Sequence, residues 1–397
     1  MRNRVRKWLI DKSPLTPLFQ RGGLEHSSLE KEQIALPPFL KEGSAASPPL
    51  KKGRRVDLFN QHFLNKLWYS HNRWHWLLSP FSIVYRIIVA FRRRFLKQFC
   101  QQQFPVPIIV VGNLTVGGVG KTPLVIALAT QLKTRGLRVG IVSRGYGARV
   151  SHFPYEVGCE DNAASVGDEP LMLAKKTGCP VVIAPKRTKA VQYLLDKYQS
   201  QIIISDDGLQ HYAMGRAIEI VVIDGLRGLG NGFYLPAGPL REGMHRLRLA
   251  DFIVVNGGAF KIPERLLKPR ENQVYPTAYR MDLLPGEITQ LVSGRSIPST
   301  ELKSPIAAVA AIGHPQRFFA TLEALGITFN RYFFADHHSF QPDDLNVVEK
   351  TVLMTEKDAV KCQPFATELM YFLPVDARLD DKFWDALWLH EQLQGYV

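Results

Sequence analysis

The chain has 397 residues, 46% of them hydrophobic and 22% charged, so it is long enough for two domains with a large buried core. Residues 1–104 carry 19 Lys and Arg against 6 Asp and Glu, whereas residues 105–397 carry 31 against 30, so 13 of the 14 net positive charges lie in the first quarter. The nearly neutral remainder argues against a nucleic-acid-binding protein, and four scattered cysteines argue against a disulfide framework or a zinc site.

Residues 1–55 have the composition of a disordered, low-complexity extension. Three proline-led apolar clusters, each closed by a basic residue and glycine, recur at irregular spacing at 13–22, 36–43 and 47–53. Proline and glycine at this density disfavour helices and central strands. A continuous apolar h-region is missing, which argues against a signal peptide.

Residues 56–104 are predicted to hold a membrane-associated amphipathic helix. An apolar, aromatic stretch runs from Trp74 to Phe91, and Arg92, Arg93, Arg94 and Lys97 follow. Arg86 lies within the stretch, and a charge at mid-membrane costs about 2.5–3.5 kcal/mol even on the lenient insertion scale. We therefore expect residues 74–99 to lie on a membrane surface, where arginines meet anionic lipid; an ordinary helix packed on the body is the alternative.

From residue 105 onward the sequence pattern is typical of an α/β fold. Near-continuous apolar runs of strand length alternate with helical stretches, which predicts a parallel sheet sandwiched by helices. We assign this domain to 105–284, and a second, smaller α/β domain to 285–397. A polar stretch after Tyr279 is interpreted as the linker between them.

The segment 108–122 predicts a phosphate-binding loop of the P-loop NTPase type. An apolar strand feeds a glycine-rich turn that ends in Gly-Lys-Thr at the start of a predicted helix. The general pattern expects glycine where Thr115 stands. The predicted nucleotide-binding residues are Thr115, Val116, Gly117, Gly118, Val119, Gly120, Lys121 and Thr122, with Lys121 on the β- and γ-phosphates and Thr122 on Mg²⁺.

Two acidic pairs are candidates for metal binding and proton transfer. Asp206 and Asp207 follow an apolar strand, and adjacent carboxylates repel each other unless a cation lies between them, which favours a metal over a polar turn. Asp168 and Glu169 stand at a glycine turn before a helix, where they could serve as helix caps or as a base for an attacking hydroxyl.

Three further segments are candidates with competing interpretations. The string Asp336-His337-His338 fits a surface loop, a metal site or a proton relay to a carboxylate base. Arg241 follows a stiff Gly-Pro turn and could neutralise charge on a transferred phosphoryl group, or form a surface salt bridge. The charged run 355–361 follows a strand and says little on its own.

Together these motifs resemble the tetraacyldisaccharide 4'-kinase (lipid A 4'-kinase) family. The resemblance covers about residues 70–397, and the family's loop departs from the general pattern at the position of Thr115. The motifs that carry it, in chain order, are 112–123, Ser143-Arg144-Gly145-Tyr146-Gly147, Gly167-Asp168-Glu169-Pro170, Asp206-Asp207-Gly208-Leu209-Gln210-His211, Gly238-Pro239-Leu240-Arg241-Glu242, Asp336-His337-His338 and Thr355-Glu356-Lys357-Asp358.

The resemblance implies transfer of the γ-phosphoryl group of ATP to the 4'-hydroxyl of an acylated glucosamine disaccharide 1-phosphate. It places the enzyme at the cytoplasmic face of the inner membrane, with no obligate protein partner. It implies catalytic roles for Asp168 as general base, His337, Arg241 and Lys121, Mg²⁺ ligands among Thr122, Asp206, Asp207, Glu169 and Glu242, and substrate contacts from Asn113, Tyr146, Gln210 and His211.

Two other functions compete with this interpretation. One is a P-loop ATPase of the partitioning or metal-insertion type acting on a protein partner; such ATPases often carry a second lysine before the paired glycines, where this chain has Val116. The other is a non-catalytic nucleotide-binding protein at the membrane, which would leave Asp168 and the two histidines without a role.

Overall fold

The structure is a computed structural model that describes residues 67–69, 75–258, 260–263, 277–347 and 349–396. The predicted extension 1–55 lies outside the described residues. The helices are α1 His75–Phe99, α2 Lys121–Thr134, α3 Ala163–Val166, α4 Asp168–Thr177, α5 Arg187–Tyr198, α6 Pro315–Ala324, α7 Glu356–Cys362 and α8 Asp381–Trp388. The strands are β1 Ile108–Gly112, β2 Val139–Ser143, β3 Tyr155–Val157, β4 Val181–Ile183, β5 Ile202–Ser205, β6 Ile218–Asp224, β7 Phe252–Asn256, β8 Thr277–Pro285, β9 Ile288–Gln290, β10 Ser296–Ile297, β11 Ile306–Ala310, β12 Asn330–Phe333, β13 Thr351–Thr355, β14 Met370–Leu373 and β15 Val375–Leu379.

The larger sheet has nine strands in the order β15-β8-β7-β6-β1-β5-β2-β4-β3. Its central strands pair in parallel, and only the edge strands β3 and β15 run antiparallel to their neighbours. Because β1 and β5 pair in parallel in the centre, the loops that follow them leave from the same edge of the sheet. In open α/β sheets that edge is where ligands bind.

Both faces of this sheet are buried, which explains the near-continuous apolar runs. Along β1, Ile109 and Val111 pack into the core that includes α2, whereas Ile108 and Val110 pack into the core on the opposite face. Successive side chains of a strand point to opposite faces, so a sheet covered on both sides needs apolar residues at every position. The predicted parallel sheet sandwiched by helices is confirmed.

The smaller sheet has six strands in the order β10-β9-β14-β13-β11-β12 and its own cores on both faces. The chain then returns to the larger sheet: β15 pairs with β8, and Leu379, Phe383 and Leu387 join the larger core. The polar stretch after Tyr279 that was interpreted as a linker contains the end of strand β8 and strands β9 and β10. The domain ranges 105–284 and 285–397 remain a prediction, although residues 375–388 contribute to the first core.

Helix α1 rests on the body along one side only. Ser82 is buried, and its hydroxyl donates to the Tyr234 carbonyl at 2.7 Å and accepts from the Ala237 amide at 3.1 Å. The opposite side exposes large apolar residues along its length, among them Trp76, Phe81, Ile83, Ile87, Ile88, Phe91 and Phe99. Among the described helices, none combines the length and hydropathy that a membrane crossing requires.

Candidate active site

The loop between β1 and α2 forms the predicted phosphate cradle. Gly117 and Gly120 have φ angles of 102° and 92°, a region that side chains disfavour, so both turns require glycine. A Cβ at Gly120 would also lie 2.3 Å from the Asn256 amide nitrogen. Helix α2 begins at Lys121 without a side-chain cap, which leaves its first N–H groups available to an anion.

Lys121 is held at the mouth of this loop by two side chains. Its Nζ lies 3.2 Å from Asn113 Oδ1 and 3.4 Å from Asp207 Oδ1. Asn113 is fully buried, and its amide nitrogen donates to the carbonyls of Thr115 (2.7 Å) and Gly117 (3.3 Å). Asn113, which was expected to contact substrate, therefore shapes the loop and orients Lys121.

Arg241 reaches the same carboxylate from a segment that flanks the loop. The Val116 amide donates to the Pro239 carbonyl at 2.9 Å, and the Arg241 amide donates to the Leu114 carbonyl at 2.7 Å. These bonds fix the backbone of Arg241, whose guanidinium lies 3.0 Å from Asp207 Oδ2. Burial alone would raise the pKa of Asp207, but Lys121, Arg241 and Arg187 outweigh it and hold that pKa well below its usual value.

Asp206 is the unusual acid of the site. It is 1% exposed, and neither carboxylate oxygen has a hydrogen-bond partner among the described residues. Burial and the neighbouring Glu169 carboxylate raise the pKa of Asp206 to about 7, against the lowering effect of Lys121. A buried carboxylate without a partner beside a second acid is a costly arrangement, which a bound cation would relieve.

Asp168 and His337 come together from the two sheets. His337 Nδ1 lies 3.2 and 3.1 Å from the two oxygens of Asp168, although 169 positions separate the residues in the chain. Burial would raise the pKa of Asp168, but the hydrogen bond with His337 and the charges of Lys357 and Lys361 hold it well below its usual value. The same hydrogen bond raises the pKa of His337 against the effect of burial.

Two lysines near Asp168 were missed by the sequence analysis. Lys357 Nζ lies 2.8 Å from Glu169 Oε1 and 3.8 Å from Asp168 Oδ2, and Lys361 Nζ lies 4.0 Å from Asp168 Oδ2. Both belong to α7, one helical turn apart. Nothing in the spacing of the charged run 355–361 indicates that it faces α4.

A second missed group supports the phosphate loop from its outer side. Arg227 donates to the Gly118 carbonyl at 2.6 Å, and Asn256 donates to the Val119 carbonyl at 2.9 Å. Arg227 also pairs with the buried Asp224, which in turn binds Arg317 of α6 at 3.0 Å. The loop is thus connected to the smaller sheet through side chains that have no motif of their own.

Glu242 is in a different cluster from the other predicted metal ligands. It is 2% exposed, accepts from Arg246 Nε at 3.1 Å, and accepts a hydrogen bond from the Tyr212 hydroxyl. Arg246 is itself buried and also binds Glu219 at 2.8 Å. Glu242 thus neutralises a buried guanidinium through Oε2, whereas its Oε1 is buried without a hydrogen-bond partner among the described residues, so its role as a metal ligand stays a prediction.

The predicted substrate contacts differ in accessibility. Tyr146 is 76% exposed, and its ring centroid lies 6.3 Å from that of His337. Gln210 lies between Asn113, whose carbonyl its amide reaches at 3.1 Å, and Arg241 at 3.4 Å. Burial and the charges of Arg187 and Arg216 lower the pKa of His211 to about 4. Tyr146 is therefore the most accessible of these residues to a sugar.

Comparison with known proteins identifies the family. A family model of tetraacyldisaccharide-1-P 4'-kinases matches residues 74–392. A tetraacyldisaccharide 4'-kinase of Legionella pneumophila (strain Lens) is 57% identical over 334 residues, which are 84% of this chain and 99% of the relative. The chain belongs to the tetraacyldisaccharide-1-P 4'-kinase family. A relative of the same name from Aeromonas hydrophila is 44% identical over 83% of this chain and 95% of its own length.

A solved member of the family has the same architecture. The crystal structure of LpxK from Aquifex aeolicus in complex with ATP superposes with a TM-score of 0.63 at 28% sequence identity. The match covers 79% of this chain and 98% of that protein. The P-loop-type α/β fold predicted from sequence is thereby confirmed.

Proposed function

We propose that this chain transfers the γ-phosphoryl group of ATP to the 4'-hydroxyl of a tetraacyl glucosamine disaccharide 1-phosphate, a lipid A precursor. The family assignment supports the substrate class. The observation that carries the chemistry is the pair of adjacent acids at the start of α4. Asp168 is held by a histidine, whereas Glu169 faces Asp206 and the lysine of the phosphate loop.

The residues present suit a magnesium ion. Mg²⁺ is usually bound by one or two protein carboxylates together with substrate phosphates, not by a cage of protein ligands alone. In keeping with this, no group of three or more His, Cys, Asp or Glu among the described residues could hold a metal by itself. Asp206, with the Thr122 hydroxyl, would hold the ion, and Glu169 would join it through its second oxygen, because Oε1 already contacts Lys357 at 2.8 Å. When bound, it would neutralise charge on the β- and γ-phosphates. Asp207 is already paired with Lys121 and Arg241 and is a weaker candidate.

Asp168 takes the proton of the attacking hydroxyl. Its carboxylate is ionised, and the His337 imidazole fixes its orientation, so that it can accept a hydrogen bond from the acceptor as the P–O bond forms. Lys121 and Arg241 neutralise charge on the phosphate side. Phosphoryl transfer depends mainly on positioning and electrostatics, which these groups supply together.

Helix α1 brings the site to its lipid substrate. Its apolar side is exposed, and Arg86, Arg93, Arg94 and Lys97 line a cavity of about 790 Å³ between the helix and the segment around Tyr234 and His245. Apolar and cationic groups on one helix are typical of peripheral binding to anionic membranes. We place the enzyme at the cytoplasmic face of the inner membrane, where ATP is available.

Substitution of Asp168 tests the assigned chemistry. Asp168→Asn keeps the size of the side chain but removes the base, and we expect the rate of lipid phosphorylation to fall by a factor of about 10²–10⁴. ATP binding, measured by calorimetry with Mg²⁺ present, should change little because Asp168 is not part of the phosphate loop. Near-normal phosphorylation by this variant would exclude Asp168 as the base.

A further inference from the structure

Lys357 lies in the candidate active site but has no role in the proposed reaction. It is the second residue of α7, whose start is fixed because the Thr355 hydroxyl accepts a hydrogen bond from the Asp358 amide at 3.2 Å. The side chain points away from the smaller sheet toward α4 of the larger one. A helix that packs on the smaller sheet therefore places this ammonium beside α4.

Three carboxylates surround this ammonium. Lys357 Nζ lies 2.8 Å from Glu169 Oε1, 3.8 Å from Asp168 Oδ2 and 3.9 Å from Asp336 Oδ1. Only one of these contacts has hydrogen-bond length, and the lysine side chain remains 19% exposed. A lysine has three donors and a flexible stem, so Nζ can keep Glu169 and still meet another anion.

The neighbouring lysine differs in this respect. Lys361 Nζ lies 2.6 Å from Asp358 Oδ1, on its own helix, and is 8% exposed. Asp358 is fully buried, and its other oxygen accepts from the Ala311 amide at 2.8 Å and from the Thr355 hydroxyl at 2.7 Å. The ammonium of Lys361 is therefore paired within its own helix, whereas the ammonium of Lys357 contacts carboxylates of the candidate active site.

The partners of Lys357 mark the two sides of the reaction. Under the proposed function, Asp168 holds the acceptor hydroxyl and Glu169 lies on the metal and phosphate side. A phosphoryl group that moves from one side to the other must pass close to an ammonium that contacts both. Neutralising the charge on the equatorial oxygens of that group lowers the barrier most during the transfer itself.

We propose that Lys357 is a catalytic residue whose ammonium binds the phosphoryl group while it is transferred. The acceptor 4'-oxygen forms a bond to the γ-phosphorus as the bond from that phosphorus to the β,γ-bridging oxygen breaks. The hydroxyl proton goes to Asp168, and ADP leaves with the bond's electron pair. Lys357 donates to a non-bridging oxygen throughout and changes no bond. This inference rests on the proposed function.

The test compares Lys357→Met and Lys357→Gln with the wild-type chain. We expect kcat for lipid phosphorylation to fall by about 100-fold or more in both, while the KM and the binding affinity for ATP change little. Binding of ADP with aluminium fluoride in the presence of lipid acceptor, which mimics the transferred group, should weaken by a similar factor. The glutamine variant keeps a donor for Glu169, so it preserves the fold if the methionine variant does not.

Lys176→Met is the matched control. Lys176 also joins α4 to α7, through a 3.0 Å contact with Glu356, but it touches neither Asp168 nor Glu169. Its kcat should stay close to wild type. An equal loss of kcat in this control would show that Lys357 acts by docking the two helices, and would overturn the proposal.

Two further results would overturn it. One is a wild-type kcat in Lys357→Gln, and the other is a loss confined to ATP affinity with unchanged binding of the aluminium fluoride complex. A wild-type chain that phosphorylates no lipid would instead overturn the proposed function, and this inference with it. The wild-type rate is therefore measured first, which separates the two failures.

Discussion

Around Asp168, one imidazole and two ammonium groups stabilise a single buried carboxylate. The hydrogen bond that the His337 imidazole donates to Asp168 raises the pKa of His337 above 6.5, its usual value. The folded chain therefore binds this proton more tightly than the unfolded chain does. The pair's contribution to the free energy of unfolding is fully present below pH 6.5 and is lost as the pH rises through the folded-state pKa of His337.

His337→Gln tests this linkage. We expect the variant to unfold at a lower denaturant concentration than wild type, with a larger difference at pH 6 than at pH 9, because the lost charge interaction exists only when His337 is protonated. Urea titrations at the two pH values measure the difference. His152→Gln, at an exposed loop position, is the control and should differ little from wild type at either pH. A difference for His337→Gln that grows with pH would contradict the assignment.

Glu242 and Asp206 should respond in opposite ways to loss of charge. Glu242→Gln leaves the buried Arg246 with Glu219 as its remaining carboxylate partner, so we expect a destabilisation of up to about 3 kcal/mol, the low end for a broken buried pair. Asp206→Asn removes an unpartnered buried carboxylate and should leave stability unchanged or higher, but should raise the Mg²⁺ concentration needed for activity. Urea unfolding and Mg²⁺ titrations of the rate measure both effects. A stable Glu242→Gln variant with a raised Mg²⁺ requirement would support Glu242 as a metal ligand and contradict the expected loss of stability.

At the scale of elements, the strands that are buried on both faces were predictable, whereas strand β8 was not. A strand buried on both faces has an apolar run that the sequence displays directly, as in β1, β5 and β6. Helix α1 runs from His75 to Phe99, close to the predicted 74–99, because arginines are good helix formers on an exposed side. The polar residues Arg280 and Asp282 give β8 the appearance of a linker in the sequence. Its pairing with β7 and with β15, which lies about 90 positions further along the chain, is not visible there.

The exposed side of α1 predicts membrane binding. Ile87→Glu combined with Phe91→Glu should weaken binding to anionic phosphatidylglycerol vesicles by about tenfold or more, since burial of each such side chain contributes about 1.5–3 kcal/mol. Vesicle sedimentation measures the bound fraction. Leu389→Glu, at an apolar residue of similar exposure on the body, is the control and should bind as wild type does. Unchanged binding of the double variant would contradict a membrane role for this side.

At the scale of the whole molecule, residues from both sheets form the site, and the sequence does not show how the two sheets pack against each other. The loop, Asp206 and Asp168 could be predicted because each follows a recognisable strand or turn in the larger sheet. Lys357 and Arg317 could not, because their partners Glu169 and Asp224 become neighbours only when the two sheets pack together. Arg227 could not either, because Gly118 is 109 positions away in the chain and becomes its neighbour only when β1 and β6 pair. The pairing of Glu242 with buried Arg246 could not be predicted either, because adjacency to Arg241 in sequence does not reveal where the Glu242 side chain points.

The position of the phosphate on the product tests the central claim most directly. Purified chain, Mg²⁺, ATP and tetraacyl disaccharide 1-phosphate in mixed micelles should yield a bisphosphorylated lipid, and phosphorus–proton correlation NMR should place the new phosphate on the 4'-oxygen. ADP should form in equal amount with the lipid product and only slowly without the acceptor. ATP hydrolysis that proceeds without lipid and leaves the disaccharide unphosphorylated would contradict the account and favour a partner-coupled ATPase.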